Sequence, residues 1–167
     1  MNTGGSYITL DRELIDLGQL SDVERVFFDL CYAAWKSRMP GREFEGLMFS
    51  DENPVLEQGR RVTLIVARHP LYRATKDFSD RLSILSGDVG PMLGDEPGQD
   101  PCDDSYVSAE MVAGERGVSR AAVYLAIERG DLIATIERPR RVSRRSLDRW
   151  AVDTARQRAG RGEAALA

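Results

Sequence analysis

Six arginines, Arg138, Arg140, Arg141, Arg144, Arg145 and Arg149, lie between residues 138 and 149 of this 167-residue chain, where the only acid is Asp148. A guanidinium stays charged at any physiological pH and offers a planar fork of donors that matches phosphate oxygens. Recognition of a polyanion is the chemistry such a cluster suits. Other chemistries lack their residues. His69 is the single histidine and is followed by Pro70, which suits a structural residue and not a metal ligand or general base. Cys31 and Cys102 are too far apart in sequence for a zinc-ligand spacing and too few for a disulfide framework. Cys31 sits on an apolar helical face and reads as a core thiol. Asp51-Glu52 and Asp77/Asp80 read as solvated acids, and Gly59-Arg60-Arg61 lacks the spacing and the Lys-Ser/Thr ending of a phosphate-binding loop. The expectation is a protein without catalytic residues, metal or cofactor.

The net charge of −4 conceals an asymmetry. Residues 1–100 carry 11 basic and 17 acidic side chains, or −6, whereas 101–167 carry 12 and 10, or +2. A local patch sets the local field, so whole-chain acidity leaves room for a nucleic-acid site in the second half. No run reaches the length of apolar residues that a membrane helix needs, and Met1 to Gly5 have neither the basic nor the apolar region of a signal peptide. A cytoplasmic protein with no membrane partner is expected.

The elements that position the arginines follow from caps and periodicity. Between Ser86 and Asp104 seven Gly and Pro residues alternate with six acids and no base, a composition that reads as a linker over 87–104. Before it, Ser21-Asp22-Val23-Glu24 has the form of a capping box. The helix it opens carries Val23, Val26, Phe27, Leu30, Cys31 and Ala34 on one face and runs to about Arg38, before Pro40-Gly41. A second helix is predicted from Pro70 to Leu85, with Leu71, Phe78, Leu82 and Leu85 inward and Gly87 closing it. Val62 to Val66 reads as a buried strand or helix core, with helix preferred; Tyr7 to Leu10 as a short strand or apolar arm; Arg42 to Glu57 as loop-rich. Phe27, Phe28, Tyr32 and Trp35 make this first domain, residues 1–86, the place for self-association or a protein partner, although such aromatics more often form core.

After the linker, Ser108 caps a short helix to about Arg116, Gly117 makes a turn, and Ser119 caps a second helix to about Glu128 that Gly130 ends. Val118 and Val123 point into the small core. Leu132 to Ile136 is predicted to be a strand that turns at Glu137 to Arg140 and returns through Arg141-Val142 as a basic β-hairpin. Leu147 and Trp150 then share one face of a last helix and close over the first two.

At this point residues 106–152 resemble the excisionase/MerR-type winged helix-turn-helix. The run Tyr106 to Arg120 is similar to the family's opening, Val123 to Leu132 to its second helix and exit, and Arg141 to Trp150 to its wing return and last helix. The Gly117-Val118-Ser119-Arg120 turn, Tyr124, Gly130-Asp131-Leu132, Arg141 and the final Leu-x-x-Trp all fall at family spacing. Arg116 stands where Leu is usual, and Glu137 and Pro139 occupy a wing tip that is usually Gly and basic residues. The resemblance implies a second helix in a DNA major groove, with Ser119, Arg120, Ala121, Ala122 and Tyr124 facing the bases and Arg120 placed for a bidentate contact to guanine. It assigns Arg140 and Arg141 to the wing. Arg144 and Arg145, at the start of the last helix, suit phosphate contacts.

The fold class expected is therefore mainly α: a helical N-terminal domain, an acidic Gly/Pro linker, a small winged helix-turn-helix over 105–153 and a tail over 154–167. The function expected is a bacterial or phage regulator that binds a specific double-stranded DNA site, with self-association or a partner supplied by residues 1–86. Two readings stand beside it: an antitoxin that binds a toxin through its first domain and represses its own operon, and an excisionase-like factor that bends DNA.

Overall fold

A computed structural model describes residues 5–56, 60–90, 96–103, 105–151 and 154. Over these the protein is mainly helical, with two small two-stranded antiparallel sheets. The chain divides into two compact units at Cys102/Asp103.

In the first unit β1 (Ser6–Ile8) pairs with β2 (Leu14–Asp16), Tyr7 opposite Ile15. A 3-10 turn at Leu17–Gln19 follows, and Ser21 then opens α1 (Asp22–Lys36) with the expected capping box. The buried face of α1 is Phe27, Phe28, Cys31, Ala34 and Trp35, so the apolar face read from the sequence is rotated: Val23, Val26 and Leu30 are exposed. Periodicity alone does not distinguish two adjacent apolar stripes on one helix; the larger aromatic stripe packs inward because it removes more area from water. The stretch from Arg42 to Glu57 is also corrected. It contains α2 (Gly41–Met48), which Pro40 caps and which buries Phe44 and Met48 one turn apart. Pro40-Gly41 ends one helix and begins the next, since proline fits wherever a helical amide has no partner.

Thr63 caps the five-residue α3 (Leu64–Arg68), where helix was preferred to strand, but Leu64 and Ile65 are exposed and only Val66 is buried. Then α4 (Pro70–Ser86) starts at the proline and ends at Gly87, whose φ of 83° lies in the left-handed region. Leu71, Phe78 and Leu82 point inward as expected; Leu85 does not. Phe78 is the hub of the core, its ring centroid 5.2 Å from Tyr7, 5.7 Å from both Phe28 and Trp35, and 6.4 Å from Phe44. The aromatics of α1 are therefore core, and Phe27, Phe28 and Trp35 offer no docking surface.

The segment expected as linker over 87–104 is different in its second half. Residues 96–102 are strapped onto the first unit: Arg81 donates to the carbonyls of Glu96 (3.1 Å) and Gln99 (3.0 Å), and the Ile8 amide donates to Pro101 O (3.0 Å). Asp100 accepts from the Tyr32 hydroxyl at 2.5 Å and pairs with Lys36 at 3.1 Å. Burial opposes the charge of Asp100, but the Tyr32 hydroxyl, the Cys102 amide and Lys36 together hold its carboxyl below the ordinary range. Composition marks this stretch as unable to form its own core; it cannot show that a buried arginine elsewhere supplies the missing partners. Pro91 to Asp95, Asp104 and, Thr154 apart, the tail lie outside the described residues.

In the second unit β3 (Tyr106–Ser108) leads into α5 (Ala109–Arg116), α6 (Arg120–Glu128), β4 (Arg141–Ser143) and a last helix, α7, over 144–151. The expected pairing of 132–136 with 141–142 is present only as a short antiparallel contact, and β4 has a longer partner on its other side. The sheet partner of β4 is β3, with Val107 opposite Val142, and the preceding segment adds one bridge, Ala134 to Val142. The Thr135 amide donates to Arg141 O (2.9 Å) and the Ser143 amide to Ile133 O (2.8 Å) on that side. Among the described residues ten form the core, including Val112, Val123, Leu132, Val142 and Leu147, with Trp150 packed against it.

Candidate nucleic-acid interface

The geometry around α5 and α6 is set by three local devices. Ser108 Oγ accepts from the Met111 amide and Ser119 Oγ from the Ala122 amide, each at 3.1 Å, so each hydroxyl satisfies a donor that a helix start leaves open. Between them Gly117 has φ 62°, a conformation that costs any residue with a Cβ, and the Val118 amide closes onto Ala113 O at 3.1 Å. Buried Val112, Ala113, Val123 and Ala126 fix the crossing of the helices. The first turn of α6 is left projecting: Ser119, Arg120 and Ala121 are exposed and Ala122 half-exposed, while Tyr124 is half-buried against the core.

The arginines are distributed around α5. Arg120 Nη2 stands 3.9 Å from Glu110 in the first turn of α5, too far for a hydrogen bond, and its side chain remains largely solvated. Arg144 forms a fork on Glu115 in the last turn, at 2.5 and 3.1 Å. That hydrogen-bonded pairing lowers the Glu115 pKa and raises that of Arg144. Arg116 approaches Asp148 at 3.7 Å, an ion pair between α5 and α7. Arg141 is half-buried in β4 and donates to Tyr106 O at 3.2 Å, so part of its fork is used to hold the sheet. Arg140 is half-buried and Arg145 exposed. At the start of α7 the Ser146 amide is 3.4 Å from Ser143 Oγ, and the Arg144 amide donates to Ser105 O at 2.7 Å.

Ser119, Arg120, Ala121 and Ala122 are thus brought together as one projecting turn, and Arg144 and Arg145 begin a second helix whose first turn is fastened to α5. Tyr124 and Arg141 are drawn into the unit itself. The roles of Glu110 and Glu115 were not legible in the sequence. Glu115 and Arg144 are 29 positions apart, and only the packing of α7 on α5 brings them together.

Among the described residues of the first unit no comparable arrangement occurs. His69 caps α4, its Nδ1 accepting from the Leu71 amide at 3.2 Å, and its Nε2 lies 3.1 Å from Glu24. Cys31 is buried, and burial pushes its thiol up to about 12, which keeps it protonated and unreactive. A cleft of about 190 Å³ between the β1–β2 turn and α4 is lined by acids and bases that pair with one another, Arg73 with Glu13 and Lys76 with Asp80. Among the described residues no group of three or more His, Cys, Asp or Glu could hold a metal ion, and no helix is long and apolar enough to cross a membrane. No protein-family model, curated protein or solved structure matches the chain.

Proposed function

We propose that the chain is a sequence-specific double-stranded DNA-binding protein of regulatory type, with α6 as its reading helix in the major groove. The observation that carries this reading is the first turn of α6, capped by Ser119: small Ala121 and Ala122 beside a largely solvated Arg120 whose nearest acid, Glu110, stands 3.9 Å away. Small residues let a helix approach base edges, and the arginine fork matches O6 and N7 of guanine. The winged helix-turn-helix resemblance of residues 106–152 supports the same orientation. Exposed Arg145 serves as a phosphate contact, Arg144 joins it by exchanging its Glu115 partner for phosphate, and Arg140, with the part of the Arg141 fork that the sheet does not use, forms the wing's basic edge.

The test is fluorescence anisotropy of the full chain on DNA from upstream of its own gene and on a shuffled duplex, at two salt concentrations. The native duplex is expected to bind about a thousandfold more tightly, both affinities falling steeply with salt. Arg120→Ala should cost about 1–3 kcal/mol and relax the preference at one base pair, whereas Arg145→Ala should weaken both duplexes alike and reduce the salt slope by about 1. Equal affinity for the two duplexes, or none at low salt, sinks the reading.

A further inference from the structure

The outward face of α1 is the feature of the first unit that packing leaves unexplained. Val23, Val26 and Leu30 recur at three and four residues and are 67%, 70% and 43% exposed, and Ala33 continues the stripe, also exposed. This is the spacing of a helix seam that packs on another helix, and it runs beside a fully formed core to which it contributes nothing. At the same end Leu64 and Ile65 of α3 are 78% and 79% exposed, and His69, which closes α3, reaches Glu24 in the first turn of α1 at 3.1 Å.

Charge identifies the occupant. Along one edge of the stripe stand Asp22, Asp29 and Lys36, all exposed, so the helix is acidic at its beginning and basic at its end. A copy of the same helix laid antiparallel, with its two-fold midway between Val26 and Leu30, seats Val26 on Leu30 and Val23 on Ala33. It also brings Asp22 of each copy to Lys36 of the other. Lys36 already touches Asp100 at 3.1 Å, but its side chain is 56% exposed and its ammonium has further donors to share. Asp29 faces its own copy near the axis, the one like-charge contact. We propose that this face of α1 is a self-association surface occupied by a second copy of the chain, antiparallel about that axis. An isologous pairing of this kind closes at two subunits.

Sedimentation velocity of the full chain across the micromolar range, without DNA, tests this. A concentration-dependent monomer–dimer equilibrium is expected, weak because one helix face is a small interface. Val26→Asp combined with Leu30→Asp should weaken association at least tenfold while leaving the melting curve in place, since both side chains are solvated in the single chain. Asp29→Asn should strengthen association roughly two- to fivefold by removing the like-charge contact. Under mild oxidation a chain carrying Val23→Cys and Ala33→Cys should cross-link into dimers, and Val23→Cys alone should not. A wild-type chain that stays monomeric throughout overturns the proposal whatever its behaviour on DNA. So does a double-Asp variant that still dimerises, an Asp29→Asn that weakens association, or efficient cross-linking through Val23→Cys alone.

Discussion

Asp77 and Arg81, one helical turn apart on α4, are both almost fully buried and hold together segments that are distant in sequence. Asp77 accepts from the Tyr7 hydroxyl (2.6 Å), the Leu10 amide (2.7 Å) and Arg81 Nε (2.6 Å); Arg81 in turn donates to Ile8, Glu96 and Gln99 carbonyls. Burial, and after it the Asp77 carboxylate, pushes the Tyr7 phenol well above its ordinary value, so it stays a donor. Asp77→Ala leaves a buried guanidinium without its counter-ion and should cost about 3–5 kcal/mol in urea unfolding; a loss near zero would show that water enters the site. The capping box is the second residue-scale case. Ser21→Ala should cost about 1 kcal/mol. Burial works against the charge of Glu24, but its hydrogen bonds with Ser21 and the proximity of His69 outweigh it and hold the carboxyl below the ordinary glutamate range. A lowered folded-state pKa means that the contribution is complete above the unfolded pKa and is lost as pH falls through the folded one. The stability gap between wild type and Glu24→Gln should therefore be open at neutral pH and close in acid, as urea titrations at several pH values would record.

At the scale of elements, the turn between α5 and α6 is where one residue decides the geometry. Gly117 has open space where a Cβ would stand, so Gly117→Ala meets no clash and its cost is that of the left-handed backbone alone, about 1–2 kcal/mol. Thermal melts should record that loss. The elements also show which part of the site was legible. Ser108, Gly117, Ser119 and Gly130 announce α5 and α6 in sequence because caps and left-handed glycines act locally. The pairing of β4 with β3 was not legible, since Val107 and Val142 are 35 positions apart and the nearer run at 132–136 has equal strand propensity. β4 lies between the two, paired along three residues with β3 and by one bridge with Ala134, and Arg141 donates to Tyr106 O on the β3 side.

For the molecule as a whole, each compact unit carries its own core and one tryptophan: Trp35, buried in the first, and Trp150, packed on the second. Two unfolding transitions are expected. Fluorescence melts of Trp150→Phe and Trp35→Phe should report different midpoints, and a single shared midpoint would mean that the units unfold together. The charge distribution acts on the same scale. Residues 1–100 carry −6 and 101–167 carry +2, so the DNA binding proposed above rests on a local patch and is expected to be sharply salt-sensitive despite a net charge of −4.

The sequence by itself determined what depends on neighbours in the chain: the capping box at Ser21, the Pro70 start and Gly87 end of α4, the Ser-Gly-Ser punctuation of α5 and α6, the concentration of arginine after residue 138, and the mainly helical class. Tertiary structure alone decided which of two apolar stripes on α1 faces inward, that residues 96–102 strap onto Arg81, and that Arg144 meets Glu115. Each of these turns on competition for one burial site or one counter-charge among groups far apart in sequence, and spacing carries no information about which competitor prevails.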